Sequence, residues 1–99
     1  MIKKLSKDDK FEEIIKEGTW LVDFFATWCG PCRMLEPVLE EFSKDNNVLQ
    51  VDIDQFGELT DSFNIMSVPT LLLFKSGSFN RVHLKAPPPS DLISSSIIL

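Results

Sequence analysis

The amino-acid sequence predicts an α/β fold with a central mixed β-sheet and helices on both of its faces. A nearly continuous apolar run over residues 19–25 is typical of a central strand that is covered on both faces. Directly after it, apolar residues at positions 35, 38, 39 and 42 follow a helical period. Another strand, a short helix and a hairpin come next, and this order favours a mixed sheet between helices.

The first predicted element is a helix. Ser6 and Asp9 resemble a capping box, and apolar residues follow them at helical spacing. This pattern predicts a helix over about residues 8–17, which Gly18 ends. The central strand follows, and Asp23 within it is the one residue that does not belong in a core.

The long helix that follows Cys29 buries one stripe of apolar side chains. Pro37 lies inside it and should remove one backbone hydrogen bond and kink the helix. The glutamates between the apolar positions, Glu36 among them, are expected to face water.

The C-terminal half is predicted to contain further strands and two helices. The predicted elements are a strand over residues 48–53, a helix over 58–63, a strand over 71–74, a tight turn at 76–78, a strand near 81–84 and a helix from Ser90 through Ile97.

Length and charge limit the function classes. The 99 residues suffice for one domain, residues 1–99, with no room for a second. A net charge of −5 makes nucleic acid and anionic membranes poor partners. The basic N-terminal residues precede no long apolar stretch, so neither a signal peptide nor a membrane span is expected. We therefore expect a cytoplasmic protein, where reducing conditions favour a catalytic rather than a structural cysteine pair.

Both cysteines, Cys29 and Cys32, flank the dipeptide Gly30-Pro31. Thiols at this spacing can close a disulfide across one helical turn. A zinc site needs four ligands, and with His83 as the only histidine it would need carboxylates or a second chain. A static disulfide or two inert buried thiols are further alternatives. A loop this short restricts the unfolded chain little, which favours redox chemistry over a structural crosslink.

The sequence from Trp28 to Cys32, with Val22-Asp23-Phe24 before it and Val68-Pro69-Thr70 after it, resembles the thioredoxin family over about residues 11–79. The resemblance implies the thioredoxin fold and a cytosolic protein dithiol–disulfide reductase. It implies a monomer that needs no cofactor or metal, because the cysteine pair carries the electrons. The implied partners are a separate thioredoxin reductase and disulfide-containing proteins.

The two cysteines are expected to have different roles. Cys29 should lie near the start of its helix, where free N–H groups and the helix dipole favour the thiolate. It would attack a disulfide in another protein, and Cys32, less exposed, would resolve the mixed disulfide. Gly30 would let the substrate backbone approach, and Pro31 suits the first helical turn. In the family, Gly-Pro accompanies strong reductants, which disfavours a thiol oxidase or isomerase.

Asp23 is the second chemical residue. Its burial should raise its pKa and allow it to exchange a proton with Cys32, the role that an aspartate has in the family. A solvent-facing Asp23 on an edge strand is the alternative. Gln50 stands where the family often has a lysine, and this departure affects how the pKa of Asp23 is set.

The resemblance also implies a substrate-binding surface beside the cysteines. A cis peptide bond is expected before Pro69, and Val68 would bond the substrate backbone as an added strand does. Trp28 would stay partly exposed and receive the partner, or else fill the core. Lys85 stands where the family has a glycine in a loop that borders this surface. A non-catalytic module that clamps a partner and retains its thiols is the alternative function.

Overall fold

A six-stranded mixed sheet forms the centre of the computed structural model, which describes residues 1–84 and 97–98. The elements in chain order are β1 (Ile2–Lys4), α1 (Phe11–Ile15), β2 (Thr19–Phe25), α2 (Gly30–Ser43), β3 (Asn47–Asp52), α3 (Gly57–Ser62), β4 (Thr70–Lys75), β5 (Ser78–Leu84) and β6 (Ile97–Ile98). The strand order is β1-β3-β2-β4-β5-β6. β3 is parallel to β1 and β2, whereas β4 is antiparallel to β2 and to β5.

The central strand β2 contributes to both faces of the sheet, because successive side chains point to opposite sides. Val22 and Phe24 belong to an apolar cluster that includes residues of α1 and has α3 packed against it. Leu21 belongs to a second cluster, with Leu35 and Leu39 of α2. Helices therefore cover both faces, as the sequence predicts, and β2 lies between two cores.

The first helix is shorter than predicted. The backbone N–H and the hydroxyl of Ser6 both donate to the Asp9 carboxylate, at 2.8 and 3.0 Å, but this pair closes a turn ahead of the helix. The helix itself begins at Phe11, and Gly18 adopts a φ of +75° just beyond its end. The capping-box interpretation therefore placed the helix start too early, since the same side chains also stabilise an isolated turn.

Two strands are absent from the sequence prediction. β1 is an edge strand whose Ile2 pairs with Val48, and such a short, partly polar segment has no periodic signal of its own. Ile97, predicted to lie in a helix, instead forms part of β6, where Leu84 is its partner. The difference arises because the backbone of β5 pairs with this segment, and tertiary pairing overrides a local helical pattern. The rest of the predicted last helix, from Ser90, and Lys85 lie outside the described residues.

Candidate functional site

The cysteine pair lies where β2 ends and α2 begins, at the carboxyl edge of the sheet. Open α/β sheets commonly place their sites at such an edge. Cys29 and Cys32 are joined by a disulfide, with their Cα atoms 5.3 Å apart. Cys29 is the N-cap residue of α2, and Pro31 stands in the first turn, where a missing N–H costs no helical hydrogen bond.

The sulfur of Cys29 occupies the position that a capping oxygen has in other helices. The backbone N–H of Cys32 donates to Cys29 Sγ at 3.1 Å. The positive end of the α2 dipole and this donor both favour negative charge on that sulfur. The geometry therefore stabilises a thiolate at Cys29 when the disulfide is opened.

Exposure does not distinguish the two cysteines in this disulfide form. Cys29 and Cys32 are each 4% exposed, whereas the sequence analysis expected Cys29 to be exposed and Cys32 to be less so. That expectation is wrong for this form, because Phe25, Ile53 and Val68 pack against the cluster that the two cysteines form with Ala26. Their difference lies in position, since Cys29 caps the helix and Cys32 lies inside its first turn.

The loop ahead of β4 reaches the cysteines. The Val68–Pro69 peptide bond is cis, as the resemblance implies. The carbonyl oxygen of Val68 lies 3.8 Å from Cys29 Sγ, and both loop residues are half-buried. The structure therefore brings Val68 and Pro69 together with Cys29, although 39 positions separate Val68 from Cys29 along the chain.

The exposed side chain of Trp28 lies beside the cysteine pair. Its side chain is 65% exposed, so it does not fill the core. The indole Nε1 donates to the Asp54 carboxylate at 2.9 Å, which fixes the ring. Gly30 is exposed as well, and a Cβ added there would meet nothing within 4 Å. Another polypeptide can thus approach the disulfide closely between these two residues.

Asp23 is buried on the α2 side of the central strand. It is 1% exposed, and its Oδ1 has no hydrogen-bond partner among the described residues. The Gln50 side chain donates to Oδ2 over a long 3.5 Å. Desolvation raises the pKa of Asp23 to about 7; the Gln50 hydrogen bond opposes this rise and the nearby charge of Glu36 adds to it. The raised pKa agrees with the expectation from sequence, and the edge-strand alternative is wrong.

Asp23 and Cys32 share a cavity of about 160 Å³. Its other lining residues come from β1, β2, β3, α2 and the loop between β2 and α2, and are Lys4, Phe25, Ala26, Thr27, Arg33, Glu36 and Gln50. The cavity is large enough for water molecules, each of which occupies about 30 Å³ in the liquid. The cavity therefore leaves room for water between Cys32 and the buried carboxyl group of Asp23.

Two residues of the site had no role in the sequence analysis. Asp54 lies two residues after β3, whose carboxyl end adjoins that of β2. This position in the sequence could have indicated that Asp54 belongs to the site. Glu36 was assigned only to a solvated helix face. Its spacing of four residues after Cys32 places it on the same side of α2, and this spacing is the signal that could have found it.

Metal binding and membrane insertion are two other classes of function. Within residues 1–84 and 97–98, no group of three or more His, Cys, Asp or Glu side chains is placed to hold a metal ion. Over the same described residues, no helix combines the length and the apolar character that crossing a membrane requires.

The chain is similar to known proteins over nearly its whole length. The family model described as Thioredoxin matches residues 2–98. The chain is 47% identical to the thioredoxin of Staphylococcus saprophyticus over 74 residues, which cover 71% of each chain. It is 41% identical to the thioredoxin of Listeria monocytogenes over 96 residues, 93% of this chain and 92% of that one. A mutant thioredoxin from Halobacterium salinarum matches in structure with a TM-score of 0.76 and 30% identity, over 99% of this chain and 92% of the other.

Proposed function

Because this chain belongs to the thioredoxin family, we propose that it reduces disulfides in other cytoplasmic proteins and is recharged by a thioredoxin reductase. The fold is the thioredoxin fold, and the protein is a dithiol–disulfide oxidoreductase. The observation that carries the proposal is the Cys29–Cys32 disulfide at the N-terminus of α2. In our proposal residues 1–99 form one domain, which acts as a monomer without a metal or other cofactor.

Cys29 is the attacking residue. In the dithiol form its thiolate attacks one sulfur of the partner's disulfide. A bond forms between that sulfur and Cys29, the partner's S–S bond breaks, and the released partner sulfur takes up a proton. The N–H of Cys32, 3.1 Å from Cys29 Sγ, and the dipole of α2 support this role because they favour the thiolate.

Cys32 resolves the mixed disulfide. Its thiol loses a proton and attacks Cys29, which restores the Cys29–Cys32 bond and releases the second partner sulfur as a thiolate. Two electrons have then passed to the partner. Asp23 accepts the proton of Cys32 across their shared cavity, and its pKa of about 7 suits an acceptor that works near neutral pH.

The partner chain lies across the exposed surface beside the disulfide. Trp28 supplies an exposed aromatic face, and Gly30 and Pro31 leave room for a close backbone approach. Val68 and Pro69 border Cys29 on the other side, where Val68 binds the partner's backbone as an added strand would. The short distance from Val68 to Cys29 supports this arrangement, because a bound strand would hold its own cysteine close to the attacking sulfur.

Trapping of the mixed disulfide tests the roles of the two cysteines. We expect Cys32→Ser to accumulate a covalent adduct with a disulfide-containing protein, because nothing resolves it. Cys29→Ser, with the same loss of one thiol, is the matched control and should form no such adduct. Intact mass spectrometry after incubation measures both. Equal trapping by the two variants would contradict the assignment.

Insulin reduction in the presence of dithiothreitol tests the activity itself. We expect the wild-type protein to accelerate reduction over dithiothreitol alone, and the double variant lacking both thiols to have no effect. A wild-type protein without acceleration would instead favour the non-catalytic clamp, which binds a partner but transfers no electrons.

A further inference from the structure

Glu36 lies at the cavity that Asp23 and Cys32 share. It stands one helical turn after Cys32 on α2, and its exposed side chain lines the cavity together with the buried Asp23. Glu36 therefore connects the buried carboxyl group to solvent on the side of the resolving cysteine. The described residues place no other carboxylate among those that line this cavity.

Among residues 1–84 and 97–98, no basic side chain forms an ion pair with Glu36, although Lys4 and Arg33 line the same cavity. Gln50 of β3 is neutral, and Leu71 of β4 pairs with Asp23 across the strand. Arg33 of α2 donates to the carbonyl oxygen of Thr27 at 3.0 Å, which directs its guanidinium to the loop. The ammonium of Lys4 on β1 lies 5.9 Å from the ring centre of Phe25. The negative charge of Glu36 raises the pKa of Asp23.

We infer that Glu36 is a positioning residue for disulfide exchange, which acts through Asp23: its charge at the solvent side of the cavity holds the proton on Asp23. The inference rests on the proposed role of Asp23 as proton acceptor for Cys32. In this role Glu36 acts through its charge on Asp23 and takes no part in the bonds that form and break. It adjusts the pH at which Asp23 becomes able to accept the proton of Cys32.

Titration of the Asp23 carboxyl carbon by NMR in the oxidised protein tests the electrostatic part. Removing a like charge favours ionisation, so we expect Glu36→Gln to lower the midpoint by roughly half a pH unit. Glu36→Lys should lower it further. Glu40→Gln is the matched control, because Glu40 lies one turn beyond, on a neighbouring cavity that does not include Asp23, and should leave the midpoint unchanged. An unchanged midpoint in both Glu36 variants would overturn the inference.

The pH profile of partner reduction tests the functional part. In Glu36→Gln, the part of the rate profile that depends on ionisation of Asp23 should move to lower pH, by the same shift that NMR measures. A merely structural loss would instead lower the rate at every pH. A shifted NMR midpoint with an unshifted rate profile would overturn the role of Glu36 in exchange. If the wild-type protein reduces no protein disulfide, the proposed function is wrong. The NMR titration still tests separately whether the charge of Glu36 acts on Asp23.

Discussion

At the scale of single residues, the burial of Asp23 has a structural cost and an electrostatic consequence. A carboxyl group that is 1% exposed has lost its hydration, and Gln50 replaces it with one long hydrogen bond. The native state therefore prefers the protonated form, which raises the pKa from 3.8 to about 7. Below pH 3.8 both folded and unfolded chains hold the proton, and stability is fully present. As pH rises towards 7, the unfolded chain releases its proton first and stability falls.

Asp23→Asn should therefore stabilise the protein in a pH-dependent way. The variant cannot ionise, so its advantage over wild type should be near zero in acid and on the order of 4 kcal/mol above pH 7, at about 1.4 kcal/mol per unit of pKa shift. Urea denaturation of both oxidised proteins across this pH range measures the difference. Resolution of the mixed disulfide should slow in the variant, because Cys32 loses its acceptor. A less stable variant at neutral pH would mean that the Asp23 carboxylate is paired.

The residues that sequence alone could identify are those with a local signal. The spacing of Cys29 and Cys32 points to redox chemistry, and a lone aspartate in an apolar strand points to a proton-transfer role, because each stands out among its immediate neighbours. The spacing of Glu36 after Cys32 indicates only which side of α2 it occupies; its distance from Asp23 depends also on how α2 packs against β2. Equal exposure of the two cysteines depends likewise on packing against the Val68 loop, which is distant in sequence.

At the scale of elements, those with strong hydrophobic periodicity could be predicted from the sequence, and those with weak periodicity could not. The central strand has the predicted bounds, and α2 follows Cys29 as predicted, since buried runs and amphipathic stripes are encoded locally. β1 forms because β3 offers it a parallel partner, and Ile97 is extended because β5 pairs with it as an antiparallel partner. Tertiary pairing of this kind leaves no mark on a segment of two or three residues.

The hairpin between β4 and β5 allows a prediction about element stability. Ser76 and Gly77 both have positive φ, +49° and +88°, which matches the type I′ turns that favour Asn-Gly. Ser76→Asn should raise the free energy of unfolding by roughly 0.5 kcal/mol, since Asn tolerates this backbone better than Ser. Gly77→Ala should lower it by roughly 1 kcal/mol through φ alone. An added Cβ at Gly77 would meet its nearest atom, Lys16 Cα, at an ordinary 3.9 Å.

Urea denaturation measures both hairpin variants against a neighbouring control. Ser78→Asn introduces the same side chain at the first, exposed residue of β5, outside the turn. We expect it to give no stabilisation, because β-strands disfavour Asn. If Ser78→Asn stabilised the protein as much as Ser76→Asn, the turn conformation would not be the cause.

At the scale of the whole molecule, the sheet separates the redox side from an aromatic core. Asp23 faces α2, whereas Val22 and Phe24 face the cluster with α1 and α3. Phe63 joins that cluster, and its ring centre lies 5.2 to 6.0 Å from those of four other phenylalanines, namely Phe11, Phe24, Phe74 and Phe79. The buried carboxyl group beside Cys32 and the aromatic cluster thus lie on opposite faces of the same strand.

This separation predicts that changes on the two faces are independent. Phe63→Ala should lower the free energy of unfolding by roughly 2 kcal/mol at every pH, because it removes edge-to-face aromatic contacts but no titrating group. Asp23→Asn should change only the pH dependence. In the double variant the two effects should add to within about 0.5 kcal/mol, as for sites without shared partners. Urea denaturation of the wild type, both single variants and the double variant at pH 5 and pH 8 completes the cycle. A larger coupling energy, or a pH-dependent effect of Phe63→Ala, would mean that β2 transmits packing changes from one face to the buried carboxyl group on the other.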